Sequence, residues 1–154
     1  MDFDTEEKIE DALVSLIDAE VSGIRAYPAW GYSAKTLQFP CVIVHAGDGF
    51  TVSDDAEWAN AREFPVECSL MVEAADEVNA SANVITTTRE RNRAARSEIY
   101  NILKGTDLSD RLTALGHDAV NFSGALLESA PRSAENNKLI TTFTLTVHAN
   151  PIEV

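Results

Sequence analysis

Arg89, Arg91, Arg93 and Arg96 place four of the chain's 12 basic residues within eight positions. On an α-helix Arg89, Arg93 and Arg96 share one face at i, i+4 and i+7. Guanidinium groups so arranged are suited to bidentate pairing with carboxylates, which is recognition chemistry and not proton transfer. Within the same helix only Glu90 and Glu98 are near, so the rest of the stripe must look elsewhere for acids. Three readings are open: a solvated face with internal salt bridges, a stripe that meets an acidic patch on a neighbouring copy, or contact with nucleic acid. A net charge of −13 and the lack of interleaved aromatics oppose the third.

The other reactive residue types do not form recognised sets. Asp54, Asp55 and Glu57 cluster in a polar stretch with no apolar surroundings to raise a carboxyl pKa. Their spacing is not that of a calcium loop. The histidines His45, His117 and His148 are far apart and sit at no metal-ligand spacing. Cys41 and Cys68 lie in apolar strand-like runs, form no CxxC pair, and point to a reducing compartment. Gly47 and Gly49 flank Asp48 as ordinary turn chemistry, with no phosphate-loop motif. No catalytic residue, metal or cofactor is expected, and the chain reads as no enzyme. Trp30, Tyr32 and Trp58 fall outside any periodic element, as loop anchors or as interface aromatics.

The elements that must position these residues follow from periodicity. Ile9, Ala12, Leu13, Leu16 and Ile17 form one stripe of a helix over about 5–21, with Glu6, Glu7, Glu10, Asp11 and Asp18 mostly on its outer face. Asp4 and Glu7 give its start a capping-box look, and Gly23 closes it in a left-handed turn. A short strand over 24–27 stops at Pro28, and 40–46 is apolar on both faces, as in a central strand. The acidic run 51–61 is a long turn or hairpin arm. Residues 63–74 alternate cleanly as a strand, although Pro65 suggests an edge or a bulge. A long helix over 79–104 is apolar near its ends and polar in its middle, with Gly105 beyond it. A short helix carrying Leu108, Leu112 and Leu115 ends at Gly116, and strands over 118–128 and 138–149 are joined by a loop at 129–137.

With 154 residues, 45% hydrophobic and 24% charged, the chain fits one α+β domain over 1–154. The expected architecture is a two-layer sandwich, a mostly antiparallel sheet of about five strands with two main helices on one face. The acidic N-terminus does not read as a signal peptide, and no apolar run reaches the roughly 20 residues of a membrane span.

The order and texture of these segments resemble the tail terminator, or tail completion, proteins of long-tailed phages. The resemblance covers nearly the whole chain. It rests on the helix EDALVSLIDAEVSGIRAY, the strand FPCVIVHAG, the polar arm before REFPVECSLMVEAAD, the helix RNRAARSEIYNILKG and the last strand KLITTFTLTVHAN. It implies a homo-oligomer, a hexameric ring at the head-proximal end of the tail tube. Such a ring ends tube polymerisation and joins the tail to the neck. Its partners are other copies, the tail tube protein and the neck or head-tail connector protein, with DNA passing through the lumen unbound and no membrane contact. The place implied is the virion, after assembly in the host cytoplasm. A cyclic ring uses heterologous contacts, which Arg89, Arg93 and Arg96 against Asp54, Asp55 and Glu57 would suit, with Trp58 and Trp30 as further interface candidates. The alternatives are another tail-tube or neck subunit, and a small α+β ligand-binding or enzyme domain.

Overall fold

The computed structural model describes residues 3–29, 37–47, 50–51, 62–73, 82–114, 120–135 and 138–151. Its first helix, α1 (Phe3–Glu20), buries Ile9, Ala12, Leu13, Leu16 and Ile17, the stripe its period dictates. Gly23 follows with φ of 87°, the left-handed conformation that a Cβ would strain. β1 (Arg25–Pro28), β2 (Cys41–Ala46), β3 (Phe50–Thr51) and β4 (Arg62–Glu73) come next. Two helices, α2 (Ala82–Leu103) and α3 (Leu108–Ala114), precede β5 (Val120–Ser129), β6 (Arg132–Glu135) and β7 (Lys138–Pro151).

The fold is α+β. Its sheet runs β1-β2-β4-β7-β5, with the short β3 alongside β4 and the short β6 alongside β7. Only β1 and β2 pair in parallel; the other described pairings are antiparallel. Alternation decides which side chains enter the core. Phe64, Val66, Cys68, Leu70 and Val72 of β4 point to the helices, as do Phe143, Leu145, Val147 and Ala149 of β7. One apolar cluster joins them to the buried faces of α1, α2 and α3. β2 is buried on both faces: Val42 and Val44 enter that cluster, while Cys41 and Ile43 are covered on the opposite side.

Three expectations are corrected. Pro65 marks no edge, because β4 lies between β2 and β7. Its carbonyl accepts the Gly47 N–H at 2.7 Å, so its missing N–H faces the flank just past Ala46, the last residue of β2 paired with β4. The expected loop at 129–137 is largely strand: β6 pairs with β7 from Arg132↔Thr141 to Glu135↔Lys138, leaving a two-residue connection. Pro131 breaks the edge only briefly, and its carbonyl still accepts the Thr142 N–H at 3.0 Å. Glu10, expected on the outer face of α1, is only 3% exposed. Its carboxylate accepts the Ala46 N–H at 2.9 Å, at the end of β2.

Candidate functional site

α2 serves two purposes along its length. Ala95, Ile99, Ile102 and Leu103 sit in the core cluster with the inward-facing residues of β4 and β7. Toward its N-terminal side the same helix carries Arg89, Asn92, Arg93 and Arg96, one face by their spacing, over the β6–β7 hairpin. Arg132 lies opposite Thr141, and Ala134 opposite Leu139, so these β6 side chains fall on the helix-covered side of the sheet. Between helix and hairpin is a groove of about 630 Å³, walled by the α2 residues, by Arg132, Ser133 and Ala134, and by Leu139 and Ile140. A recess of about 250 Å³ continues it past Arg93 and Arg96 to Tyr100, Thr141 and Phe143. The polar middle of α2 is thus accounted for. There the helix overhangs an open groove instead of closing on the core.

The groove is lined by cations that no described carboxylate neutralises. Among the described residues the ion pairs join Arg111 to Glu20 and Asp107, and His148 to Glu63; none involves Arg89, Arg93, Arg96 or Arg132. Burial, and then the like charges of Arg132 and Arg93, pull Arg96 below the usual guanidinium range. Three buried polar atoms at the groove have no hydrogen-bond partner among the described residues: Asn92 Oδ1, Arg96 Nε and Thr141 Oγ1. Asn92 is 7% exposed and Thr141 is 2% exposed, so water offers them little compensation. The remaining unpaired atom of this kind, Arg111 Nε, has the Asp107 carboxylate 3.4 Å away. Arg111 also donates to the Ile102 carbonyl at the end of α2, so this arginine serves the fold. Among the described residues the groove arginines make no such ion pair. Guanidinium N–H groups, the Thr141 hydroxyl and the Asn92 amide, which presents Nδ2 when turned over, make a donor-rich pocket for an oxyanion.

A second surface has the opposite character. The sheet face away from the helices presents Glu67, Glu73 and Glu128 with a ladder of Thr142, Thr144 and Thr146. Thr146 donates to Glu128 at 2.7 Å, and Glu63 lies 4.0 Å from His148. Lys138 is drawn over the Phe39 ring at 5.0 Å. Leu126, 60% exposed, stands on the edge strand β5.

Of the residues singled out from sequence, Arg89, Arg93 and Arg96 are brought together. Arg91 lines a different recess beside Ala94 and Glu98. Trp30, Tyr32, Asp54, Asp55, Glu57, Trp58 and His117 lie outside the described residues. Arg132, the fourth groove arginine, is missed by sequence reasoning because its segment reads as a loop. The Asn-Asn pair before the alternation of 138–149 is the hairpin signal that would have found it. The cysteines are inert: burial pushes the Cys41 thiol up to about 11 and the Cys68 thiol up to about 12. Among the described residues no group of three His, Cys, Asp or Glu side chains could hold a metal ion, and no helix is long and apolar enough to cross a membrane. Compared with known proteins, the chain matches no protein-family model and no curated protein.

Proposed function

We propose that this chain is a structural subunit that works by assembling with copies of itself, in the role of a tail terminator of a long-tailed phage. Copies would form a ring that ends the tail tube and joins it to the neck. The observation that carries the self-assembly reading is the arginine-lined groove. A chain of net charge −13 keeps four arginines around one groove and pairs none of them with a described carboxylate of its own. Such a surface is completed by a carboxylate from elsewhere, and a ring of identical copies supplies one at every joint.

Two further observations support this reading. The buried titratable side chains serve the fold: Glu10 holds the Ala46 N–H, and both thiols are raised far above the range of a nucleophile. The acid-bearing open face of the sheet suits a wall past which DNA slides without sticking, because like charges repel over a Debye length of about 8–10 Å. The terminator role in particular rests on the resemblance of segment order.

Light scattering after size exclusion, with negative-stain microscopy, tests the proposal. The expected result is closed rings that do not elongate. Filaments would reassign the chain to a tail-tube subunit, and a monomer at high concentration would end the reading. Arg89→Glu/Arg93→Glu/Arg96→Glu is expected to dissociate the ring; unchanged assembly would remove the stripe from the interface.

A further inference from the structure

We infer that the groove between α2 and the β6–β7 hairpin is a binding site for a small tetrahedral oxyanion, either inorganic phosphate or the phosphate group of a small molecule. Such a site goes beyond the self-assembly reading and does not depend on it.

The donors come from three elements. Arg89, Arg93 and Arg96 lie on α2, Arg132 stands on β6, and Thr141 shares the inward register of β7 with Phe143 and Leu145. Arg93 and Arg96 line both the groove and its recess, so the two parts share one cationic stretch. A carboxylate has two oxygens and is satisfied by a single guanidinium fork. A phosphate presents at least three and can be held from several sides at once. Donors that converge from a helix and two strands therefore suit the tetrahedral ion better. At about 630 Å³ the groove has room for the ion and for a small molecule that carries it.

No acid of the lining balances these charges. Among the described residues around the groove and its recess there is no Asp or Glu. The recess beside Arg91 differs, because Glu73 and Glu98 line it too. Burial and the like charges of Arg132 and Arg93 already pull Arg96 below the usual guanidinium range, and an anion among the three relieves that repulsion. Asn92 and Thr141 supply a second, independent sign. They are 7% and 2% exposed, and neither Asn92 Oδ1 nor the Thr141 hydroxyl has a hydrogen-bond partner among the described residues. A hydroxyl and a reorientable amide beside guanidinium groups are phosphate-binding chemistry. A bound ion gives the Thr141 O–H and the Arg96 Nε–H the acceptors that the described residues do not provide.

Isothermal titration calorimetry of inorganic phosphate into the full-length chain, with chloride adjusted to constant ionic strength, tests the inference. Wild type should take up one phosphate per chain in a saturable titration. Arg93→Gln/Arg132→Gln removes a guanidinium from each wall and should weaken uptake by at least about tenfold, the factor that one charge-assisted hydrogen bond accounts for. If that pair disturbs folding, as read from far-UV circular dichroism, Thr141→Val answers in its place. It keeps the shape of the side chain and should weaken phosphate by about threefold or more, with no loss of stability. Phenyl phosphate separates the two sources of the ion. Tighter binding than inorganic phosphate assigns the site to the phosphate group of a larger molecule, and equal or weaker binding assigns it to the free ion. Wild type that takes up no phosphate overturns the inference, which is the outcome if a carboxylate of the chain's own fills the groove. Equal affinity in wild type and both variants overturns it as well, because the ion then binds elsewhere. Neither result decides the self-assembly reading, which is tested by the mass of the particle.

Discussion

Glu10 and the α2 groove are both places where this fold takes polar groups out of water, and they are handled differently. Glu10 is matched: its carboxylate meets the Ala46 N–H, and the contact ties α1 to the end of β2. At the groove, Thr141 Oγ1, Asn92 Oδ1 and Arg96 Nε are buried without a partner among the described residues, and the like charges of Arg132 and Arg93 lie near Arg96. Leaving a buried polar atom unpaired costs about 1–3 kcal/mol. Matched polar burial secures the chain's own shape, whereas unmatched burial leaves donors and acceptors at the groove that the described residues do not satisfy.

The largest expected effect breaks the groove side of this contrast. Reversing Arg89, Arg93 and Arg96 to Glu should weaken self-association by at least about 100-fold, since close charge pairs at interfaces couple by about 1.5–7 kcal/mol. The thermal midpoint of the unassembled chain should change little, because no intramolecular ion pair is lost among the described residues. Sedimentation velocity measures the first quantity and calorimetry of the dilute chain the second. A large fall in the midpoint with unchanged assembly would mean that the arginines serve the fold after all.

Next in size is Glu10→Ala. It leaves the Ala46 N–H without its acceptor in a buried place, so a loss of about 2–3 kcal/mol is expected in urea unfolding. Glu10→Gln keeps an acceptor oxygen and should recover most of that loss. Thr141→Val is the counterpart at the groove and should act in the opposite direction. It removes an unpaired buried hydroxyl with little change of shape, so the unassembled chain should gain up to about 1 kcal/mol while assembly weakens. A Thr141→Val chain that is less stable would show that the hydroxyl is already satisfied in the isolated subunit.

Why one of these places is legible in the sequence and the other is not follows from which contacts decide it. The α1 stripe, the alternation of β4 and the left-handed Gly23 depend on the period and steric limits of their own segments, and each can be read locally. The arginine face of α2 is equally local. Arg132 is not, because its place beside Arg93 and Arg96 depends on the register of β6 on β7. Glu10 fails for a related reason. It flanks the apolar stripe and looks solvent-facing by helical period, and its partner Ala46 comes from a strand 36 residues away. Pro65 reads as an edge because the rule concerns a missing N–H, and only the topology shows that this N–H would face the flank beyond the end of β2. The sequence therefore exposes faces, while the matching of polar groups across elements needs the fold.

The smallest expected effect sharpens the matched side. Burial raises the Glu10 pKa above its ordinary value of 4.5, opposed by the Ala46 hydrogen bond and the nearby His45, and reinforced by Asp11 and Glu7. In a window just above pH 4.5 the folded chain therefore holds a proton that the unfolded chain has released. The contribution of this group to stability is fully present below that window and is lost as pH rises through the raised folded value. Paired exposed acids with depressed pKa values would show the reverse slope. Urea unfolding midpoints of wild type and Glu10→Gln across this range should differ in that respect: the difference should favour wild type at the acid end and shift toward Glu10→Gln as pH rises. Parallel curves would mean that the hydrogen bond from Ala46 cancels the burial penalty, so that the carboxylate is held as comfortably in the fold as in water.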